Sequence, residues 1–195
     1  MIILGITGPT GSGKTTVSKI LESHGITVID TDKLAREIVE PKKPALLELV
    51  SCFGEDILLP EGNLNRKKLA KIAFSNKEAL KNLNRITHKY IWEEIEKIIK
   101  SYSGDILGID GAVLIESGIS KKCTKILSVL ADLEIRKERI IKRDSLSEEE
   151  ASMRISTQKN NAFYIENSNY IVYNNGTENL ELQILEIITE LRSMI

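Results

Sequence analysis

Five short runs of apolar residues, rich in Ile, Leu and Val, predict β-strands along this chain of 195 residues. The first run is apolar at nearly every position, which is typical of a strand that is buried on both faces. The runs cover residues 2–7, 26–30, 105–110, 126–130 and 170–173. Helical patterns separate them, and strands that alternate with helices indicate a parallel sheet with helices on both faces. The sequence therefore predicts a three-layer α/β protein with a five-stranded parallel sheet.

The gap between the second and third runs is about seventy residues long, far more than a simple crossover connection needs. Helical patterns fill it, and one of them begins at Ser75, with Glu78 three residues later, in the spelling of a capping box. We interpret residues 32–100 as an inserted helical lobe. Its part from Arg66 to Lys100 has ten Lys and Arg against four Glu, a net charge of +6. That charge favours an anionic ligand, although a solvated helix surface would carry it equally well.

A basic helix is predicted at residues 134–143, after the fourth strand. Arg136, Arg139 and Arg143 are three and four residues apart, so they lie on one face of this helix. Like charges on one face repel one another unless an anion or a carboxylate lies among them. The spacing therefore indicates a place where negative charge is bound.

Two more helices are predicted towards the end of the chain. Ser147, with Glu150 three residues later, spells a second capping box. Residues 177–194 have the spacing of an amphipathic closing helix, and Asn175-Gly176 just before them is typical of a tight turn.

Composition and charge exclude several classes of protein. The 27 basic and 28 acidic residues give a net charge of −1, which argues against a globally basic nucleic-acid-binding protein. No apolar run approaches the ~20 residues of a membrane helix, and no basic lead-in of a secretory signal precedes the first strand. Cys52 and Cys123 are far apart and belong to no CxxC pair, so we expect reduced thiols. We expect a cytoplasmic protein that binds neither nucleic acid nor membrane and has no obligatory protein partner.

A phosphate-binding loop is the strongest chemical signal. Gly8-Pro9-Thr10-Gly11-Ser12-Gly13-Lys14-Thr15 matches the P-loop pattern G-x-x-x-x-G-K-[ST], between a buried strand and an amphipathic helix. Glycines let the backbone curl into a nest of N–H groups, to which the helix N-terminus adds its dipole. Lys14 is expected to reach the β- and γ-phosphates of a nucleotide, and the Thr15 hydroxyl to hold Mg²⁺.

The loop alone leaves the acceptor of the phosphate open. Transfer to water is the reaction of an ATPase or GTPase, whereas transfer to a hydroxyl group is that of a kinase. No Asn-Lys-x-Asp guanine signature follows the loop, and the DxxG spelling at residues 105–108 falls at the start of a strand. A GTPase switch is therefore disfavoured.

Carboxylates stand at the ends of two predicted strands, where an α/β sheet binds its ligands. Asp32 follows the second strand and could accept a proton from an attacking hydroxyl, although Asp32 or Thr31 could instead cap the next helix. Asp110 ends the third strand and could support Mg²⁺, or simply begin a loop before Gly111. Both interpretations stay open at this point.

The whole chain resembles the dephospho-CoA kinase family. The segments that carry the resemblance follow the family's order: residues 7–15, 28–32, 35–36, 62–66, 73–74, 86–88 and 110–116, and then Arg139, Arg143, Asp144, residues 147–150, Arg154 and Gln158. The resemblance implies a P-loop kinase with a nucleotide-binding core at residues 1–31, 101–133 and 161–195, an acceptor lobe at 32–100 and a lid at 134–160. It also implies transfer of the ATP γ-phosphate to the 3′-hydroxyl of dephospho-CoA, which gives CoA and ADP.

Residue roles follow from the same resemblance. Asp32 matches the family's catalytic base, and Gly11, Ser12, Gly13, Lys14, Thr15 and Thr16 match its ATP loop. Arg36 falls in a matching segment of the acceptor lobe, and Arg66, His88 and Leu114 match positions that line the acceptor site, although His88 alone would more often be a surface residue of a helix. Arg143 matches a lid position near ATP. With Arg139 it is suited to neutralising the charge that develops on the transferred phosphate.

Two other functions remain possible on the sequence alone. The chain could be a related P-loop kinase with a different hydroxyl acceptor, such as a nucleoside. It could also be a module that senses nucleotide without catalysis. An assay of acceptors separates the first of these from a dephospho-CoA kinase, and turnover separates the second.

Overall fold

A five-stranded sheet organises the protein, and the computed structural model describes residues 1–177 and 179–195 of it. The strands are β1 (Ile2–Thr7), β2 (Thr27–Asp30), β3 (Ile106–Asp110), β4 (Lys125–Leu130) and β5 (Tyr170–Tyr173). They lie in the order β2-β3-β1-β4-β5, and every neighbouring pair is parallel. The predicted α/β fold with five parallel strands is confirmed, and each strand begins within one residue of its predicted start.

Helices connect the strands. Those that the structure describes are α1 (Lys14–Ser23), α2 (Thr31–Glu37), α3 (Pro44–Phe53), α4 (Arg66–Ser75), α5 (Lys77–Ser101), α6 (Leu133–Asp144), α7 (Glu148–Ser156), α8 (Asn161–Glu166) and α9 (Leu180–Ser193). Short 3₁₀ helices lie at Glu55–Ile57 and Ile119–Lys122. None of the helices in the described ranges has the length and apolar character needed to cross a bilayer.

The chain divides into two compact units. The first consists of residues 1–30 and 102–195, and its core lies between the sheet and helices α1 and α9. Leu4 and Ile6 of β1 are fully buried there together with Leu21 of α1 and Leu191 of α9. Because alternate residues of a strand point to opposite faces, these two β1 side chains cover one face of the sheet. On the other face, a Cβ at Gly5 would lie 2.6 Å from Leu114 Cδ2, so residues beyond β3 pack closely there.

Strand register places the functional end of this first unit. β1 lies between β3 and β4, with Ile6 opposite Asp110 and Thr7 opposite Ser128. Asp30 at the end of β2 is also opposite Asp110. The carboxyl ends of the parallel strands therefore meet at one edge, where the loop after β1 begins. Open α/β sheets bind their ligands at this edge.

The second unit, residues 31–101, is entirely helical apart from its loops. Leu49 of α3 and Ile86 and Ile95 of α5 have no exposed surface. Glu48 of α3 fastens the same two helices, since its carboxylate accepts hydrogen bonds from side chains of α5. The donors are Lys89 Nζ at 2.8 Å, Tyr90 Oη at 2.9 Å and Arg85 NH1 at 3.2 Å.

The helix ends confirm one predicted capping box and correct the other. Ser147 Oγ accepts from Glu150 N while Glu150 returns a hydrogen bond to Ser147 N, so the box before α7 is confirmed. The box predicted at Ser75 is wrong. Ser75 ends α4 and its hydroxyl donates to Ile72 O, whereas Asn76 Oδ1 accepts from the first turn of α5. Asn and Ser are both good helix caps, and only the position where α4 stops selects between them.

Candidate active site

The loop between β1 and α1 has the curled backbone of an anion-binding nest. Gly8, Gly11 and Gly13 have φ angles of +144°, +83° and +97°. Residues other than glycine rarely adopt such positive values. Gly13 is also the N-cap of α1 and offers no side-chain cap, so the first N–H groups of this helix open towards a ligand. Lys14 Nζ donates to Gly8 O at 2.9 Å and so folds back over the loop.

Neighbouring segments leave no room for side chains at these glycines. A Cβ at Gly8 would collide with Val129 O of β4, and one at Gly13 would collide with the Asn174 amide. A Cβ at Gly11 would lie 2.7 Å from Arg136 O of α6. The glycines are therefore required by close packing as well as by φ.

Three carbonyl groups of the loop, those of Thr10, Gly11 and Ser12, accept hydrogen bonds from side chains outside the loop. Arg136 Nε donates to Thr10 O at 3.0 Å. Arg139 NH1 donates to Gly11 O at 3.2 Å and to Ser12 O at 3.4 Å. Asn174 Nδ2 donates to Ser12 O at 2.9 Å and Asn174 Oδ1 accepts from Arg139 NH2 at 3.4 Å. The conformation of the loop therefore depends on hydrogen bonds from α6 and from the residue after β5.

Hydroxyl and carboxylate oxygens lie at the start of α1 and at the end of β3. Ser18 Oγ of α1 donates to Asp110 Oδ2 at 2.8 Å, which orients this carboxylate at the end of β3. Thr15 is three residues before Ser18, in the first turn of α1. Within the described ranges, no three His, Cys, Asp or Glu side chains come together as a metal site. A hydroxyl, a carboxylate, waters and phosphate oxygens are the ligands that suit Mg²⁺ rather than a soft metal.

Two buried hydroxyls support a polar ligand at this place. Thr7 and Ser12 are fully buried, and neither Oγ1 of Thr7 nor Oγ of Ser12 has a hydrogen-bond partner within the described residues. Buried polar atoms normally have partners, because an unmade hydrogen bond costs free energy. Ser12 lies within the nest itself, and its hydroxyl fits the oxygen-rich tail of a nucleotide.

Four of the residues expected at the acceptor site belong to the helical unit. Asp32 lies in the first turn of α2, two residues beyond β2. Arg66, at the start of α4, donates from NH2 to Arg36 O at 3.3 Å, so the two arginines are neighbours. His88 lies on α5, where burial lowers the pKa of its imidazole and favours the neutral form at pH 7. Leu114, from the other unit, is 1% exposed.

Arg143, expected near ATP, forms a charge cluster at the end of α6. Arg143 Nε and NH2 donate to the Asp144 carboxylate at 2.8 and 2.9 Å, and Arg154 of α7 binds the same carboxylate. These partners, Arg143 first, lower the pKa of Asp144 to about 2. The carboxylate separates two cations that would otherwise repel one another, and it fastens α6 to α7.

Sequence reasoning missed the parts of the site that depend on distant contacts. Ser18 gave no signal of its own, although it follows Lys14 by one helical turn on the same helix. The three arginines of α6 were expected to turn together towards an anion. Instead, Arg136 is buried at 5% exposure and contacts the loop, as Arg139 does, while Arg143 pairs with Asp144. The sequence did not assign Asn174 a contact with the loop, because its partner Ser12 is 162 residues away.

The parallel sheet, the glycine nest at the N-terminus of a helix, the lysine and the carboxylate on the adjacent strand define a class of protein. It is a P-loop nucleotide-binding protein, in which nucleotide phosphates bind at the loop after the first strand.

Comparison with known proteins assigns the family. The family model described as dephospho-CoA kinase matches residues 2–179, and the chain belongs to this family. A dephospho-CoA kinase of Corynebacterium glutamicum is 37% identical over 199 residues, covering all of both chains. One of Fusobacterium nucleatum is 41% identical over 93% of this chain and 92% of its own. The solved structure of the Campylobacter jejuni dephospho-CoA kinase superposes with a TM-score of 0.70 at 26% identity, covering 99% of this chain and 98% of that one.

Proposed function

We propose that this chain transfers the γ-phosphoryl group of ATP to the 3′-hydroxyl of dephospho-CoA, which gives CoA and ADP. The observation that carries the proposal is the match of the dephospho-CoA kinase family model to residues 2–179. In the reaction, the 3′-oxygen bonds to the γ-phosphorus and the bond from that phosphorus to the β–γ bridging oxygen breaks. The hydroxyl proton leaves to a base of the enzyme, and ADP keeps the electrons of the broken bond.

The ATP loop is assigned to Gly11, Ser12, Gly13, Lys14, Thr15 and Thr16. Its amides and the helix dipole bind the β- and γ-phosphates, and Lys14 adds a mobile positive charge. Because the bond from Lys14 Nζ to Gly8 O is internal to the loop, a phosphate oxygen can replace that acceptor without unfolding the loop. Catalysis here consists of positioning and of neutralising charge.

Thr15 and Asp110 are the residues that we assign to Mg²⁺. The Ser18 hydroxyl orients Asp110, and the donor set consists of oxygens, as this cation prefers. When bound, Mg²⁺ neutralises charge on the phosphate oxygens.

Asp32 is assigned as the general base. It follows β2, whose last residue Asp30 pairs in register with Asp110 of β3. A carboxylate that accepts the hydroxyl proton increases the rate by ~10²- to 10⁴-fold in enzymes of this kind. Asp32 also positions the acceptor, since it must hydrogen-bond the hydroxyl before it can take the proton.

The acceptor lobe is assigned to residues 32–100. Dephospho-CoA carries a pyrophosphate, and the lobe supplies Arg36 and Arg66, which are hydrogen-bonded neighbours. His88 in its neutral form is suited to hydrogen bonding rather than to charge pairing. Leu114, outside the lobe, is also assigned to acceptor binding.

The lid is assigned to residues 134–160, and the nucleotide-binding core to residues 1–31, 101–133 and 161–195. Arg139 and Arg143 are the lid residues that we assign to ATP. Arg143 is the catalytic cation, which exchanges its contact with Asp144 for the developing charge on the γ-phosphate. We propose a cytoplasmic protein whose partner is this small-molecule substrate.

A panel of acceptors tests the proposed function. The purified protein is incubated with ATP, Mg²⁺ and one acceptor at a time, and ADP release is followed with a coupled enzyme assay. Dephospho-CoA is expected to raise ADP release far above the rate without acceptor, and nucleosides are not. If a nucleoside elicits ADP and dephospho-CoA does not, the acceptor is wrong. If ATP binds and no acceptor stimulates turnover, the protein is a nucleotide sensor.

A further inference from the structure

Arg136 is a buried cation that contacts the ATP loop, although its place on α6 suggested a lid arginine. Arg136 is 5% exposed, and burial lowers the pKa of its guanidinium. Nε donates to Thr10 O at 3.0 Å and NH2 donates to Gln158 Oε1 at 3.0 Å. Both acceptors are neutral oxygens.

Gln158 completes a closed set of hydrogen bonds around one residue of the loop. The same Oε1 that accepts from Arg136 accepts from Thr10 N at 3.1 Å. Thr10 is therefore held at its N–H by Gln158 and at its C=O by Arg136, and the two holders are bonded to each other. A guanidinium presents donors in a rigid planar fork, so this arrangement permits little rotation of the residue.

The planarity of the peptide bond carries this restraint to the next amide. In a trans peptide, the C=O of one residue and the N–H of the next point in opposite directions. Because Arg136 holds Thr10 C=O, the Gly11 N–H of the same peptide must point away from Arg136. Arg139 and Asn174 act in the same way on Ser12 C=O, which orients Gly13 N–H.

We propose that Arg136 is a positioning residue for ATP, which acts with Gln158 by fixing the Thr10–Gly11 peptide with its amide turned towards the phosphates. The proposal rests on the function proposed above, in which ATP binds at this loop. The close approach of α6 supports it, since Arg136 O would lie 2.7 Å from a Cβ at Gly11. The loop and the first turn of α6 are therefore closely packed at this point.

The test compares ATP binding by the full-length protein and its variants Arg136→Met, Arg136→Lys and Gln158→Leu, measured by isothermal titration calorimetry. Arg192→Met is the matched control. Arg192 lies on α9 and also donates to a backbone carbonyl, His24 O at 3.3 Å. We expect Arg136→Met and Gln158→Leu each to raise the Kd for ATP by at least ~10-fold. Arg136→Lys, which keeps the charge without the fork, is expected to lie between them and the wild type. The control keeps the wild-type Kd.

Kinetics separate positioning from general loss of structure. The KM for dephospho-CoA and the kcat at saturating ATP are expected to stay within ~3-fold of wild type, while the KM for ATP rises with the Kd. In the double variant Arg136→Met/Gln158→Leu, the Kd for ATP is expected to be no higher than in the weaker-binding single variant. The reason is that both changes release the same Thr10–Gly11 peptide. If Arg136→Met proves insoluble, Arg136→Lys and Gln158→Leu decide.

Two results overturn the proposal. One is a folded Arg136→Met or Gln158→Leu protein that binds ATP as the wild type does. The other is an equal weakening of ATP binding in Arg192→Met, which would assign the effect to stability. Failure of the proposed function looks different: Arg136→Met would bind ATP more weakly than the wild type does, yet dephospho-CoA would elicit no ADP from either protein.

Discussion

At Gly13, both the backbone conformation and the packing of neighbouring atoms require glycine. Its φ is +97°, and a Cβ there would collide with the Asn174 amide that holds Ser12 O. We expect Gly13→Ala to raise the Kd for ATP at least ~10-fold, which corresponds to ~1.4 kcal/mol. Backbone strain is expected to lower the free energy of unfolding by ~1–3 kcal/mol as well. Calorimetric titration and urea unfolding measure the two effects.

Gly25 provides the matched control for this substitution. Its φ is +79°, but a Cβ there would meet nothing within 4 Å. Gly25→Ala should therefore destabilise the fold by a similar amount while ATP affinity remains that of the wild type. If Gly25→Ala weakened ATP binding as much as Gly13→Ala, the loss at Gly13 would reflect stability rather than the shape of the nest.

Asp32 carries the proposed proton transfer. We expect Asp32→Asn to lower kcat by ~10²- to 10⁴-fold, because the amide cannot accept the hydroxyl proton, while the Kd for ATP stays similar. Glu37→Gln, on the same helix with an exposed carboxylate, is the control and should retain activity. Steady-state kinetics and titration with ATP distinguish the roles. An equal loss of turnover and ATP affinity would assign Asp32 to metal or nucleotide binding instead.

At the residue scale, the sequence predicted what its own spacing encodes. The P-loop is contiguous, so Gly8 to Thr15 could be recognised directly, and the structure gives that segment the expected nest. Ser18 and Asn174 could not be recognised, because Ser18 meets Asp110 across 92 residues and Asn174 meets Ser12 across 162. Which distant side chain fills a given space is decided by the packing of the sheet.

At the element scale, buried parallel strands were the most predictable feature, because a short, continuous run of β-branched and other apolar residues is typical of a strand covered on both faces. Helix ends were predicted where the cap is unambiguous, as at Ser147, and missed where two caps are adjacent, as at Ser75 and Asn76. The short helix α8 was not predicted, since its six residues are too few to show a period. The closing helix begins at Leu180, with Asn179 as its cap, rather than at Thr177.

The hydrogen bonds that join Glu48 of α3 to α5 predict that the free energy of unfolding depends on pH. Lys89 first, then Tyr90 and Arg85, lower the pKa of Glu48 from 4.5 to about 2. Because the unfolded chain binds this proton more readily, the stabilisation is fully present above the unfolded value. It is lost as the pH falls from about 4.5 towards 2. We expect Glu48→Gln to lower the Tm at pH 7 and to lose this difference progressively below pH 4.5.

Thermal unfolding followed by circular dichroism between about pH 7 and about pH 2.5 measures this effect. Glu61→Gln, an exposed carboxylate of the same unit, is the control and should match the wild type at every pH. A difference between Glu48→Gln and wild type that stayed constant over the whole range would contradict the assignment, since it would come from lost packing and not from charge.

At the scale of the whole molecule, charge is distributed unevenly. The chain has a net charge of −1, yet residues 66–100 alone carry +6. Anionic substrates are attracted to such a region, and the family to which the chain belongs acts on one. The alternation of strands and helices predicts a parallel α/β sheet, and the motif from Gly8 to Thr15 predicts a P-loop. The identity of the acceptor came only from family motifs dispersed over the chain. Neither charge nor hydrophobic pattern distinguishes one phosphate-bearing alcohol from another.

The proposed chemistry is tested most directly by the position of the transferred phosphate. The protein is given ATP and Mg²⁺ with dephospho-CoA or with its 3′-deoxy analogue, and the products are examined by mass spectrometry and ³¹P NMR. We predict a new 3′-phosphate monoester on dephospho-CoA, with one ADP formed for each CoA, and no phosphorylated product from the deoxy analogue. A phosphate on any other oxygen, or equal ADP release with the deoxy analogue, would contradict the account.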